Sequence, residues 1–525
     1  MPALVTSHFR IHNAIQFFES FSESSPSIYY LFAGKSYAYT NDATPPTPVD
    51  SYDSTYYDFW RDIIGLKRIQ VSDVTHCVPR YNWTANTAYT LYTSNNASLS
   101  GSQFYVMTNQ DNVYKCIDNN RGANSTVKPS GVSTDIITTA DKYRWKFLYT
   151  ISAGEKNKFL TSSYIPVKSI YANDSSAQWV VQSAVSNGSI EHITITANGT
   201  GYLTTSNTFS SVTNSTVVVL KSNASATNDI YNGSTIMISS GLGSGFTGSL
   251  RRIVNYVGAS KTLTVNTAFA VTPNTSSTYV VSPRVTISGD SGSVEGKRSI
   301  AWVSNTFGGQ VRTIAVVSRG LNYSSANVVI SANSSYGSGA TAIPVISPKG
   351  GHGSDPVNEL FGKYIMMNVQ LQGAESNTLP TNNDIRTIGI IRDPLLRNGS
   401  AANSSVIDQT HRINVNVKSG DFTNDEVISG GTSGAKGRFV YFANTNNART
   451  VGTMKLIRLV TSGTGKSFVA GETVTGATSG KTANVTSYTR PALKEFTGVI
   501  IYNENRVPIT RATDQIEDIK VILNF

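Results

Sequence analysis

The chain has 525 residues, enough for about two to four domains of roughly 100–200 residues each. Apolar residues make up 39% and charged residues 14%, and 26 Tyr and 20 Phe supply ample surface to bury; this excludes a charged disordered tail and points to short strands with many turns. The net charge is +10, but Lys and Arg form no dense run, so the excess reads as a solvated surface and not as a nucleic-acid footprint.

Two cysteines, Cys77 and Cys116, are too few for a disulfide framework and lack metal-ligand spacing. Synthesis in a reducing cytoplasm is the simplest reading. Met1-Pro2-Ala3-Leu4-Val5 carries no signal-peptide pattern, and no apolar run approaches the roughly 20 residues of a membrane span.

The first third reads as mixed. Ser7 is positioned to cap a helix from Phe9 to Ser20, with Phe9, Ala14, Phe17, Phe18 and Phe21 on its apolar face. Ser27 to Gly34 reads as a buried strand, Pro45, Pro46 and Pro48 as a loop, and Tyr56 to Ile64 as a second helix. Strands follow at Gln103 to Met107, Val113 to Ile117 and Trp145 to Ile151.

From about Asn173 the texture changes. Residues 174–348 are rich in Ser, Thr, Asn and Gly with alternating β-branched residues, such as Ile193 and Ile195 or Leu263 and Val265. Half-buried strands and no helix are expected there. Two internal likenesses stand out. Ile193-Thr194-Ile195 with Gly199-Thr200-Gly201-Tyr202 resembles Ile314-Ala315-Val316 with Gly320-Leu321-Asn322-Tyr323. Later, Glu426-Val427-Ile428-Ser429-Gly430 with Thr432-Ser433-Gly434 matches Glu472-Thr473-Val474-Thr475-Gly476 with Thr478-Ser479-Gly480, which suggests a pair of small β-modules. At the end, Ile519, Val521, Leu523 and Phe525 recur at every second position, a strand with one apolar face. Asn503 to Arg506 reads as a turn after a neighbouring strand, Val499 to Tyr502.

Motifs with possible chemistry have plainer readings. Gly463-Thr464-Gly465-Lys466-Ser467 resembles the end of a phosphate loop, but Val460 stands where the first glycine belongs. Gly351-His352-Gly353 with Asp355 fits a turn that needs positive φ. His8 and His12 lie one helical turn apart without a third ligand, and His76 and Cys77 are neighbours that point to opposite faces of an extended segment. Asp514, Glu517 and Asp518 read as solvated acids before the last strand. No catalytic, cofactor-binding or metal-binding residue is assigned, and no cofactor is implied.

Several pieces resemble, in order, the baseplate wedge protein called gene product eight of T-even-type contractile-tailed phages. They are Val5 to Arg10, Tyr29 to Lys35, Val78 to Trp83, Val113 to Asp118, Tyr143 to Tyr149, Ile385 to Ile388 with Asp393 to Leu395, and Ile501 to Ile509 with Asp514-Gln515 and the final Phe525. The resemblance implies a mainly β fold, α+β in its N-terminal third: a layered β-sandwich core with inserted small β-modules and two short helices. It implies a structural subunit and not an enzyme, a homodimer within the wedge, contacts with other wedge subunits, and no nucleic-acid partner. The virion tail baseplate would be its location, after synthesis in the host cytoplasm. The expected division is 1–173 as the N-terminal part of the wedge core and 174–348 as inserted β-modules. Residues 349–397 continue the core, 398–490 form an inserted tandem β-repeat, and 491–525 are strands that complete the core. The insertions look like those of marine cyanobacterial phages. The alternative function is a tail-fibre-like adhesin that binds host glycans through the inserted modules. Both thiols should be free: titration under denaturing, non-reducing conditions is expected to find two, and finding none would refute this.

Overall fold

The computed structural model describes residues 3–245, 247–290, 298–333, 336–460 and 467–525. Strands dominate, with a few short helices between them. The chain divides into two compact units: Met1–Cys77 with Lys363–Phe525, and Val78–Gly362.

In the first unit the strand Tyr29–Gly34 is buried along its whole length. It pairs antiparallel with Ile63–Ile69 on one side and Asp384–Arg392 on the other. Val406–Asp408 and Val499–Thr510 end this five-stranded sheet. Alternation along the central strand serves two cores. Tyr29, Leu31 and Ala33 enter one core, and Tyr30 and Phe32 enter the other with Trp60, Leu66 and Ile391. A second sheet contributes Tyr364–Gln372, paired through residues 364–367 with 74–77 and along its length with Ile516–Asn524. Its Ile365, Met367, Val369, Ile519 and Val521 share the first core, which Leu523 and Phe525 also join.

The first helix runs Ser7–Glu19, and its cap is Thr6 instead of Ser7: the Thr6 hydroxyl accepts the Phe9 N–H at 3.2 Å. Ile11 and Ala14 are buried, and Phe17, Phe18 and Phe21 pack on the sandwich core, whereas Phe9 is 54% exposed. The second helix is shorter than its pattern. A π segment Ser54–Asp58 leads into Phe59–Asp62, and the strand Ile63–Ile69 takes Ile63 and Ile64, whose β-branched side chains suit a sheet. Residues 503–506 are not a turn. Val499–Thr510 is one continuous strand, in which Asn503, Glu504 and Asn505 face Gly389, Ile388 and Thr387. Polar residues are tolerated there because the strand lies at the sheet edge.

The late repeat forms one closed barrel and not two modules. Each copy is a hairpin, Val427–Gly430 with Lys436–Asn444 and Thr473–Gly476 with Thr482–Thr489. The first strands of the two copies pair with each other, which joins the hairpins. Ile413, Ile428, Phe439, Leu456, Val474 and Val485 fill the interior. The copies also cap one another. The Glu426 carboxylate accepts the N–H groups of Thr478 and Ser479 and the Ser479 hydroxyl at 2.7–2.9 Å. Glu472 does the same for Thr432 and Ser433 at 2.9–3.1 Å. Gly430 and Gly476 leave room for this, since a Cβ on either would come within 2.6 Å of the other copy's carboxylate oxygen. Burial alone would raise both glutamate pKa values, but these donors outweigh it and hold them below the ordinary carboxylate range.

In the second unit, Tyr105–Met107, Asn112–Asp118, Arg144–Thr150 and Ile137–Thr138 form a sheet over Tyr89, Tyr114, Trp145 and Phe147. Zone 174–348, expected to lack helix, contains Ala177–Ser183. Ser176 caps it by accepting the Trp179 N–H at 3.1 Å, and Val181 joins the same core. Seven residues are too few for helical periodicity to show in the sequence. Beyond it, the early likeness is a structural duplication. Ile190–Thr200 pairs with Ser338–Ile346, and Gln310–Arg319 pairs with Ser299–Phe307. Arg284–Gly289 and Ala326–Ser331 pair with each other. The two matching tyrosines hold equivalent places: Tyr202 N–H donates to Gly309 O at 2.9 Å, and Tyr323 N–H to Gly188 O at 3.0 Å. Both rings are buried in one core. A seven-stranded sheet from Thr205–Thr208 to Thr278–Ser282 has its own core of Phe209, Ile236, Ile238, Tyr256, Leu263 and Tyr279.

Three outcomes are expected. A chain ending at Gln515 loses Ile519, Val521, Leu523 and Phe525, each worth about 1.5–3 kcal/mol when fully buried, against a net domain stability of about 5–15 kcal/mol. It should misfold, and a soluble fragment as heat-stable as the full chain would refute the role of that strand. Glu472→Gln keeps the size but offers one neutral acceptor to donors that a carboxylate satisfies, and should cost about 2 kcal/mol in chemical denaturation. Because both glutamates are depressed in the fold, their stabilisation is full above the unfolded value of about 4.3 and is lost as pH falls through their folded values. The acid limb of the stability curve should therefore flatten in Glu426→Gln/Glu472→Gln.

Candidate interaction site

The residues with possible chemistry are dispersed. His8 and His12 are exposed on the first helix. Among the described residues no three His, Cys, Asp or Glu side chains gather as a metal site would require. No helix among them is long and apolar enough to cross a membrane. Cys77 and Cys116 are unpaired and buried, and burial pushes both thiols up. His76 packs on Phe18 at 5.2 Å. Gly463 to Lys466 lie outside the described residues. Of the acids before the last strand, Asp514 and Asp518 are exposed, but Glu517 is not simply solvated: it pairs at 2.8 Å with Arg511, which is fully buried.

Gly351 and Gly353 do adopt positive φ, of 111° and 93°. His352 between them is fully buried with its ring edge-on to Tyr92 at 4.9 Å. Around it lie two buried ion pairs, Lys115 with Glu359, and Lys146 with Glu191 at 3.7 Å. The Gly353 N–H also donates to Glu359 at 2.6 Å. Burial, then the charges of Lys115 and Lys146, drive the His352 pKa well below its ordinary value, so the imidazole stays neutral. These groups give solvent no access to a reacting atom. Their arrangement holds a loop against a sheet.

Cavities that reach solvent include two with charged walls. In the second unit, about 220 Å³ is lined by Arg121, Lys142, Arg144 and Arg312 around Asp118 and His192. Asp118 already lies 2.6 Å from His192 Nε2 and accepts from Thr194 and the Asn120 N–H. In the first unit, about 310 Å³ lies between the barrel strands and the segment after the barrel, lined by Arg61, Arg397, Arg458, Arg490, His411 and Glu495 among others. Arg458 is held by Asp62, its Nη2 at 2.6 Å. Arg397 donates through Nε to Pro491 O at 2.8 Å and lies 3.7 Å from Glu495. Arg490 is exposed, and its side chain has no ion pair among the described residues. Burial, then Arg397 and Arg490, bring the His411 pKa down to about 4. Gln409, 4% exposed, accepts the Leu493 N–H through its side-chain oxygen, but its Nε2 has no acceptor among the described residues. Such a buried donor costs about 1–3 kcal/mol unless something supplies one. This constellation is not legible in the sequence, because its arginines are single residues scattered over the chain and only the fold brings them together.

Residues 3–127 and 466–525 match the model of a family described as Bacteriophage T4, Gp8. No curated protein matches the chain. The matched spans stop short of Tyr143 to Tyr149 and leave out Ile385 to Leu395, and they take in the second copy of the late repeat. Although far apart in sequence, they meet in the fold: Tyr29–Gly34 and Val499–Thr510 bond to opposite edges of the same strand, Asp384–Arg392. Both ends of this chain are thus similar to a phage tail protein family, and they build one sheet.

Proposed function

We propose that this protein is a structural subunit of the baseplate wedge of a contractile phage tail. It works by holding a geometry through protein–protein contacts and by passing on a rearrangement when the baseplate switches, with no catalysis. The observation that carries this reading is the family match at both ends of the chain. Support comes from the burial of most chemistry-bearing groups in packing roles, such as Glu426 and Glu472 in turn caps and Lys115 with Glu359 beneath a loop. A homodimer within the wedge, further contacts with other wedge subunits, and residence in the virion after synthesis in the host cytoplasm belong to the same proposal. Residues 174–348 are then modules carried on the wedge core.

Cross-linking and electron microscopy of intact virions are the test. The expected result places the chain in the baseplate beside other wedge proteins, with the purified protein sedimenting as a dimer. Location in tail fibres, with binding of the purified chain to host cells, would overturn it in favour of a glycan-binding adhesin.

A further inference from the structure

The cavity beside the barrel has features that the packing of the chain does not use. Its wall is rich in guanidinium groups and poor in acceptors. Asp62 holds Arg458, Arg61 lies 3.9 Å from Asp58, and a single carboxylate, Glu495, sits 3.7 Å from Arg397 and 3.9 Å from His411. Arg490, an exposed residue of the wall, has no ion pair among the described residues. Gln409 lines the same wall, and its Nε2 is sealed within the protein with no acceptor among the described residues. Burial first, and then Arg397 and Arg490, keep His411 neutral. Phe496, 41% exposed, adds an aromatic surface and carries Tyr57 edge-on at 5.1 Å.

We propose that this cavity binds a carboxylate side chain from an acidic segment of a partner protein, with Arg490 and Arg397 as its charged donors. Guanidinium forks match carboxylates in shape as well as in charge. Arginine beside aromatic side chains is also the composition of sites that dominate protein–protein binding. A nucleic-acid backbone fits less well, since it needs a track of several cations, and Asp58, Asp62 and Glu495 interrupt any such track here. If the protein is a wedge subunit held by protein contacts, the acidic segment belongs to a neighbouring wedge protein.

The test uses the full chain and a fluorescein-labelled peptide of alternating Gly and Glu, with the Gly–Gln peptide as control. Anisotropy should show binding of the Glu peptide that weakens with salt, and at least tenfold weaker binding of the control. Arg490→Ala should weaken binding about tenfold, the loss of one charge-assisted contact. Gln409→Glu keeps the acceptor for the Leu493 N–H and places a carboxylate among the arginines. It should abolish peptide binding while raising the melting temperature, because the protein then supplies its own anion. Equal binding of the two peptides, unchanged binding in Arg490→Ala, or a lowered melting temperature in Gln409→Glu would each overturn the proposal. So would displacement of the peptide by D-glucuronic acid at lower concentration than by unlabelled peptide, which would mark a saccharide site. The readout is in solution, so it stands or falls independently of where the protein sits in the virion.

Discussion

The strand Tyr29–Gly34 is hydrogen-bonded on both edges and buried on both faces. A buried strand must find partners for every backbone N–H and C=O, because an unpaired polar group in a core costs as much as a lost hydrogen bond. One neighbour, Ile63–Ile69, is local. The other, Asp384–Arg392, lies hundreds of residues later. The unit therefore closes only after the intervening chain has been made. The same constraint draws in Val499–Thr510 and, through Tyr364–Gln372, the last strand. Large modules can be carried between these strands because longer loops add closure cost only slowly.

The two duplications solve one problem in the same way. In each, a group in one copy satisfies backbone of the other. Glu426 and Glu472 exchange carboxylates for turn N–H groups. The tyrosines at 202 and 323 donate to the glycine carbonyls that open the other copy's strand. Such exchange ties the two halves of a small β-unit together where strand pairing alone leaves turn ends exposed. It also explains why chemically suggestive side chains here are structural: a carboxylate that accepts from four donors, as Glu426 and Glu472 each do, has no lone pair left to offer a substrate.

By contrast, the arginine cavity gathers guanidinium groups that internal pairs with Asp62 and Glu495 offset only in part. Arg397, His411, Arg458 and Arg490 come from four separate stretches of sequence, and the barrel brings them together.

The sequence by itself determined the class of fold and many elements. Alternation of Ile193 with Ile195 and of Leu263 with Val265 marked buried faces, because a period of two is a local property of an extended chain. The spacing of Ala14, Phe17, Phe18 and Phe21 marked the first helix for the corresponding reason, and the matched repeats at 426 and 472 were plain to read. Tertiary structure decided whatever depends on partners distant in sequence. Residues 503–506 look like a turn and are edge strand because Asp384–Arg392 offers them a ladder. Ala177–Ser183 is helix because Val181 finds a core and Ser176 a cap. Two repeat copies became one barrel because their first strands pair with each other. The cavity was invisible for the same physical reason: charge density is set by distance in space, and its arginines are far apart along the chain.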